Sequence, residues 1–537
     1  MDKYSEIISL SKRRGIFYPS YDIYGGEAGF YDYGPIGTLL KNNVENKWRE
    51  FYVFREKFFE ISTPVITPYD ILKASGHVDK FMDVILTCKK CGKAFKAEEV
   101  AEENRKKMEC PECGGRLEEG RINLMFETGI GPRKKEKAFL RPETAQGIFV
   151  NFPFLYQFSR KKLPMGVVQI GKGFRNEVSP RQGIIRLREF SMAEAEIFFN
   201  PENKSHERFD EIKDDVMTLI PAGMDEIKDT VGNIVEKGII SNEALAYYMA
   251  LTRRFLLSVG IDESKLRFRQ HMPDEMAHYA SDCWDAEILT SLGWIECVGI
   301  ADRTAYDIKA HMDATGVDMT AFKRYDEPVK EKKKVIVPKM DKIGPAFGKD
   351  AGKVKAALEQ AEPSDEPFRA EIEGKDVEIG REFYDVVKKE VVVTGKNFIP
   401  HVVEPSYGID RIVYCILEHN YLEHEKEGER YVTLRLPPAV APIKAGVFPL
   451  VNKDGLPSIA REIETDLRRG GMVAIYDEGG SIGRRYARMD EIGTPFCITV
   501  DYTTLEDDTV TVRWRDTTEQ VRVKKDELAD WLREKMN

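Results

Sequence analysis

Four of the eight cysteines in the 537-residue chain form two pairs, Cys88-x2-Cys91 and Cys110-x2-Cys113, with 18 residues between them. CxxC turns at this separation can set four thiolates at the corners of a tetrahedron, the arrangement structural Zn²⁺ accepts. Gly92 and Gly114 follow the pairs, where such a turn calls for positive φ. Two disulfides or one redox pair would use the same residues. Residues 1–15 (MDKYSEIISLSKRRG) contain no apolar signal segment, so an oxidising compartment is not expected and zinc is favoured. Cys283, Cys297, Cys415 and Cys497 stand singly in apolar or mixed surroundings and read mostly as buried free thiols.

A second concentration of chemistry lies at 166–199, where GVVQIGKGFRNE, VSPRQGII and RLREFSMAEAEIFF follow one another. Both outer segments alternate apolar with polar residues and predict a long antiparallel hairpin. Residues two apart share a face. Gln169 and Arg175 then face with one another on the first strand, and Arg186, Arg188, Phe190, Met192, Glu194 and Glu196 on the second. Ionised groups on so apolar a strand are costly unless paired or met by a ligand. The face is therefore either an internal ion-pair ladder or a surface for a charged ligand.

The length implies roughly three to four domains at ~150 residues each. Hydrophobic residues make up 42% and charged ones 32%, which excludes a disordered chain. Residues 144–159 carry no charge, but 16 residues broken by Asn151 and Pro153 fall short of the ~20 that a spanning helix needs. The net charge of −10 excludes a wholly basic nucleic-acid binder and leaves local patches for any RNA contact. Texture divides the chain. An aromatic, glycine-rich stretch runs to about Phe199. A more charged one follows to about Gly395, with KEKKKVIVPKMDK (330–342) reading as a solvated hairpin or loop and AEPSDEP (361–367) as a connector. After LRLPPAVAP, strand and helix patterns alternate and predict a small α/β domain of about five strands.

FRNE (174–177) followed by RLREF (186–190) resembles motif 2 of the class II aminoacyl-tRNA synthetases. HVVEPSYGIDRIVYCIL (401–417) resembles motif 3, and FEISTPVITPYDILKASGH, around Pro64, resembles motif 1, the family's dimerisation element. RRGIFYPSYDIYGGEAGFYDYGPIG, RPETAQGIF, REFSMAEAEIF, GWIECVGIADRTAYDI and EPSYGIDR together resemble the homodimeric glycyl-tRNA synthetases of the archaeal and eukaryotic branch. The resemblance implies an α+β fold. An antiparallel-sheet catalytic domain would cover 1–435, with a zinc-binding insert at 86–118 and insertions at 200–280 and 312–395. An α/β anticodon-binding domain would cover 436–537.

The resemblance also implies a glycine–tRNA ligase that uses ATP and Mg²⁺, forms glycyl-adenylate and charges tRNA(Gly). Arg175, Arg411 and Glu296 are the implied catalytic residues, with Glu296 holding Mg²⁺. ATP contacts would come from Arg175, Asn176 and Glu177, from Ile185, Arg186, Leu187, Arg188, Glu189 and Phe190, from Glu296 and Cys297, and from Gly408, Ile409, Asp410 and Arg411. Phe190 and Arg411 would cover the two faces of adenine. Arg411 also opens a helix, where a cation is unfavourable unless an anion such as a triphosphate lies nearby. Glycine would meet Lys96, Glu143, Phe190, Ser191, Met192, Ala193 and Glu194, then Glu404, Pro405, Ser406, Tyr407 and Gly408. Carboxylates Glu143, Glu194 and Glu404 would take its ammonium, and Ser406 would exclude a methyl group.

The implied partners are glycine, ATP, tRNA(Gly) and a second copy of the chain, in the cytoplasm and with no membrane. Arg484, Arg485 and Arg488 are the implied tRNA contacts. Two further clusters, Arg133, Lys134, Lys135 and Lys137, and Lys330, Lys332, Lys333 and Lys334, read either as solvated faces or as tRNA contacts. Two other readings stand beside this one: a catalytically inactive synthetase-like nucleic-acid-binding subunit, and a class II synthetase for alanine, serine or proline.

Overall fold

The structure is a computed structural model that describes residues 2–97, 100–132, 136–180, 182–277, 279–361, 368–372, 375–426 and 428–536, with the backbone alone at 333, 360, 371, 375 and 426. Arg133, Lys134, Lys135 and most of the 361–367 connector lie outside the described residues. Two units are present, one of Met1–Met319 with Ile399–Asn537 and one of Thr320–Phe398.

A nine-stranded sheet organises the first unit. Its middle is antiparallel and runs Asp282–Thr290, Gly293–Thr304, His401–Gly408, Glu189–Phe199, Met165–Phe174. The short strand Phe59–Glu60 closes one edge and pairs in parallel with Met165–Phe174. Leu266–Gln270, Val216–Ile220 and Ile227–Thr230 extend the other edge. Residues 200–280, expected as an insertion, thus supply three strands of the main sheet. They also supply the helix Glu243–Ser258, buried on nearly every side, with the Asn242 side chain capping it by accepting from the Leu245 N–H at 2.9 Å.

Alternation divides the sheet into two faces. Ala193, Ala195, Ile197, Val298, Ile300 and Tyr407 enter the core with the helices Pro35–Arg49, Glu243–Ser258 and Ile409–Asn420. The Tyr407 hydroxyl is spent there on Tyr52 and Thr252, at 2.7 and 2.6 Å. The residues between them turn to the opposite face.

The 166–199 hairpin is shorter in its strands than expected. They end at Phe174 and begin again at Glu189, so the connecting loop spans 175–188, with a 3₁₀ turn at Gly183–Ile185 among its described residues. Arg186 and Arg188 therefore lie in the loop and not on the strand face. Gly173 sits opposite Phe190, and a Cβ there would come within 2.7 Å of the Phe190 ring. Glycine at this position makes room for the aromatic side chain.

The strand Met82–Cys88 pairs with Ala94–Lys96 and Leu117–Asn123 around a small core of its own. Residues 444–536 form a five-stranded mixed sheet with the helices Leu456–Arg469, Ile482–Glu491, Tyr502–Asp507 and Leu528–Met536. Its core of Val447, Leu456, Ile463, Ile498 and Val512 is separate from that of the large sheet.

The second unit is a long antiparallel ribbon, Ala321–Pro338 with Tyr384–Phe398, joined to a hairpin and two helices around Ile336, Ile343, Val354 and Ile379. The lysine run expected as a hairpin or loop is strand as far as Pro338. Lys330, Lys332 and Lys334 fall on one face of the ribbon and are exposed.

Candidate active site

A cavity of about 250 Å³ opens on the sheet face that the helices leave free. Glu194 lies opposite Ser406 in the ladder, and Ala301 opposite Glu404. The Ser406 hydroxyl donates to Glu194 Oε1 at 2.6 Å, while Glu194 Oε2 accepts from the Thr144 N–H at 2.6 Å and from the Thr144 hydroxyl. Burial raises the Glu194 pKa, and the nearby Glu143 charge raises it further.

Glu404 accepts from Arg303 Nη1 at 2.8 Å, and the other arms of Arg303 fork onto Asp307 at 2.8 and 2.9 Å. Burial pushes Glu404 up to about 7, against the pull of Arg303 and with the push of Glu194 and Glu143. Glu143 behaves oppositely. Burial would raise it, but His77, Arg303 and the Gln146 amide outweigh burial and hold it below the usual range. Its partners are His77 Nε2 at 3.4 Å and Gln146 Nε2, which donates at 3.1 Å. Gln146 also donates to Asp307 at 2.9 Å, which links Glu143 through Asp307 and Arg303 to Glu404 in one buried network. Beneath them Glu196 has no hydrogen-bond partner among the described residues, and burial followed by Glu404 holds its pKa well above normal.

Cationic groups line another part of the cavity. Arg175 places its guanidinium 5.4 Å from the Phe190 ring centre and 5.3 Å from that of Phe81. Among the described residues no carboxylate pairs with it. Arg411 donates to the carbonyls of Ile185 at 3.1 Å and Glu296 at 2.7 Å, with the Glu296 carboxylate at 3.5 Å. Asp410, beside it, accepts from the Tyr33 hydroxyl and the Ser191 N–H, both at 2.6 Å. These bonds tie the start of the helix Ile409–Asn420 to the strand Glu189–Phe199.

The cavity brings together most of the expected residues. Arg175, Glu177, Ile185, Arg186, Leu187 and Phe190 line it, as do Glu296, Cys297, Asp410 and Arg411. So do Glu143, Ser191, Met192, Glu194, Glu404, Ser406 and Gly408. Ala193, Pro405 and Tyr407 do not, because alternation turns them to the helix-covered face, and Ile409 is likewise in the core. Asn176, Arg188 and Glu189 are also absent from the lining. Arg188 is bound to Glu27 and to the Ala28 and Glu177 carbonyls, and Glu189 faces Lys172 at 3.7 Å. Lys96 is not among the carboxylates: its ammonium sits 2.6 Å from Asp83 and 3.3 Å from Glu177.

Two family models match the chain: the tRNA synthetase class II core domain (G, H, P, S and T) over residues 126–229, and the anticodon binding domain over residues 444–535. Relatives match it from end to end. The glycine–tRNA ligase of Methanocaldococcus jannaschii is 52% identical over 576 residues, covering 100% of this chain and 99% of that protein. The glycine–tRNA ligase of Methanothrix thermoacetophila is 47% identical, covering 100% and 98%. The chain belongs to the glycine–tRNA ligase family. A crystal structure of the RNA binding domain of threonyl-tRNA synthetase from Cryptosporidium parvum matches with a TM-score of 0.55 at 17% identity over 98% of this chain and 97% of that one. A Giardia lamblia prolyl-tRNA synthetase in complex with prolyl-adenylate matches with 0.55 at 14%, over 98% and 75%. At these identities the likeness concerns the fold alone.

In this glycine–tRNA ligase family member, the structure adds residues to the site that the sequence reading passed over. Arg303, Asp307, Thr144, Gln146 and His77 fix the cavity carboxylates. The available signal was Arg303 and Asp307 at i and i+4 after an apolar strand, in ADRTAYD.

The four paired cysteines are free thiols whose sulfurs lie within 4.8 Å of one another. Cys88 and Cys113 are 3.5 Å apart, and Cys91 and Cys110 3.9 Å. Gly92 and Gly114 have φ of 74° and 65°, the left-handed turns the sequence called for. The backbone N–H groups of Cys91 and Lys90 lower the Cys88 pKa to about 6.

Of the three terminal-domain arginines, Arg484 is exposed. Arg485 is buried and donates to the carbonyls of Pro449 and Gly480, which corrects its expected place in an RNA-facing set. Arg488 is paired with Asp477.

Proposed function

We propose that this chain activates glycine with ATP to glycyl-adenylate and transfers the glycyl group to the 3′ end of tRNA(Gly), with both steps in the cavity. The observation that carries this reading is the meeting of Glu143, Glu194, Glu404 and Ser406 with Arg175 and Arg411 around one small space. Buried carboxylates suit an ammonium, and Ser406 over Glu194 leaves little room for a side chain.

In the first step a glycine carboxylate oxygen attacks the α-phosphorus and pyrophosphate leaves. In the second a terminal ribose hydroxyl attacks the carbonyl carbon and AMP leaves. Neither needs a covalent bond to the protein, so the work is positioning and charge neutralisation. Among the described residues no carboxylate satisfies Arg175, and its planar fork fits the α-phosphate and the glycine carboxylate. Phe190 offers a stacking face for adenine, and Arg411 covers the other face and meets the γ-phosphate. Lys96 acts one step back by holding Glu177, which faces the adenine amino group.

Glu296 presents a half-exposed carboxylate at the cavity, an oxygen ligand of the kind Mg²⁺ takes. The ion would neutralise phosphate charge there. The four thiols fit Zn²⁺, since Zn–S bonds of about 2.3 Å in a tetrahedron put sulfurs about 3.8 Å apart. We read this zinc as structural.

A homodimer is part of the reading. The edge strand Phe59–Glu60 has no partner on its outer side among the described residues, and Phe158, stacked edge-on to Phe59 at 5.1 Å, is 63% exposed with Phe154 beside it. For tRNA, exposed Arg484 and the lysine face of the ribbon at Lys330, Lys332 and Lys334 support contact on an otherwise acidic body. Among the described residues no helix is long and apolar enough to cross a membrane. Eight free thiols support a cytoplasmic location.

The test is charging of a tRNA pool with each labelled amino acid. Acid-precipitable label from glycine alone is the expected outcome. Label from alanine, serine or proline in its place would overturn the assignment.

A further inference from the structure

Three metal-ligand side chains meet on the cavity wall, and the two-step reaction uses none of them. His271 Nε2 lies 2.8 Å from Asp285 Oδ2 and 3.9 Å from Cys283 Sγ. The three donor atoms all lie within 4.8 Å of one another.

Backbone geometry builds the group. Cys283 and Asp285 stand two apart on the strand Asp282–Thr290 and so share a face. His271 follows the neighbouring strand Leu266–Gln270, where its backbone N–H donates to the Cys283 carbonyl at 3.0 Å. Cys283 and Asp285 are buried, His271 is half-buried, and all three line the cavity.

The surroundings are negative. Burial first, and then the charges of Asp285, Glu404, Glu296 and Asp282, push the Cys283 thiol up, and a cation placed there would be attracted by those same carboxylates. Arg269 already sits 3.2 Å from Asp285, but it also pairs with Glu275 and Glu287 and would keep those partners.

One thiolate, one imidazole and one carboxylate with a fourth position facing a cavity is the donor set of zinc sites that keep an open coordination position. Mg²⁺ prefers oxygen ligands, whereas sulfur and nitrogen favour zinc and cobalt. The set is thus chemically distinct from the Glu296 carboxylate.

We propose that His271, Cys283 and Asp285 form a second divalent-cation site, selective for Zn²⁺ or Co²⁺ over Mg²⁺, whose occupation inhibits amino-acid activation. Binding takes the thiol proton of Cys283 to solvent and leaves the ion bonded to sulfur, to nitrogen and to oxygen. Its inhibitory part rests on the ligase reading. Its binding part does not.

The experiment is cobalt titration of full-length protein whose four-cysteine group is already loaded with zinc. One further equivalent should bind, with thiolate-to-cobalt charge-transfer absorption and the visible bands of a tetrahedral ion. Cys283→Ser should abolish the sulfur absorption, and both it and His271→Asn should weaken cobalt binding by about tenfold or more. A urea-unfolding midpoint equal to that of the wild type in each variant reports that the large sheet is intact. No further equivalent in the wild type, or unchanged binding in both variants, would overturn the site. In parallel, added Zn²⁺ should inhibit glycine-dependent ATP–pyrophosphate exchange in the wild type, reversibly with a chelator, and much less in Cys283→Ser. Cobalt bound at full stoichiometry with exchange unaffected would overturn the inhibitory role. Because the titration needs no catalysis, a failed ligase assignment leaves its result readable.

Discussion

Ser406 Oγ donates to Glu194 Oε1 at 2.6 Å across two strands that hold these residues directly opposite one another. The other Glu194 oxygen is taken by the backbone and hydroxyl of Thr144. The carboxylate is thereby fixed in place without any ligand.

Ser406→Ala removes one hydrogen bond to a buried carboxylate, a loss of about 1.5–3 kcal/mol. The KM for glycine in ATP–pyrophosphate exchange should rise by roughly 10- to 100-fold, with a smaller change in kcat. A glycine KM equal to that of the wild type would remove Ser406 from the pocket.

Arg303→Gln should destabilise the fold. It leaves Asp307 and Glu404 buried without their cation, a change that costs about 3–5 kcal/mol in buried pairs. Urea unfolding would register a lower midpoint. Arg303→Lys should recover part of the loss through charge alone, and an unchanged midpoint in the glutamine variant would contradict the network.

Glycine binding should depend on pH through Glu404. Burial raises this carboxyl to about 7, so below that pH the free protein holds a proton that an incoming ammonium must displace. Affinity for glycine then strengthens as pH rises toward 7 and levels off above it, with a slope of at most about tenfold per pH unit for one proton. The unliganded fold shows the opposite trend. A raised carboxyl binds its proton more tightly when folded than unfolded, so stability falls as pH climbs from the ordinary value of 4.5 to about 7. Glu404→Gln should flatten the binding profile, and a wild-type KM for glycine that is flat from pH 5.5 to 8 would contradict the assignment.

Metal analysis of purified protein should find about one zinc per chain held by Cys88, Cys91, Cys110 and Cys113. Cys110→Ser should release it and raise hydrogen exchange across 82–123 while leaving the large sheet protected, since the insert has its own core. Protein free of zinc with an unchanged exchange pattern would overturn the metal reading.

Strand periodicity accounts for part of the cavity lining. Glu194 was readable from two-residue alternation and Glu404 and Ser406 from the motif resemblance, and alternation explains why some of their neighbours do not line the cavity. Ala193, Pro405 and Tyr407 were taken in with their neighbours although alternation sends them to the core. The resemblance implied an insertion at 200–280, yet EALAYYMALTRRFLLS is apolar nearly all round, the mark of a helix inside a core. The contacts of Lys96 with Glu177 and of Arg303 with Glu404 span 81 and 101 residues, beyond the reach of local pattern, although Arg303 and Asp307 at i and i+4 were a local signal. Arg485 differs from Arg484 by a single helix step of about 100°, enough to turn one side chain into the domain and the other to solvent.

The central claim is that this cavity activates glycine. Amino-acid-dependent ATP–pyrophosphate exchange, run with each of the twenty amino acids in turn, measures that step without tRNA. Exchange stimulated by glycine and by no other amino acid, and abolished in Arg411→Ala, is the predicted result. Exchange absent with glycine, or stimulated by alanine, serine or proline in its place, would contradict it.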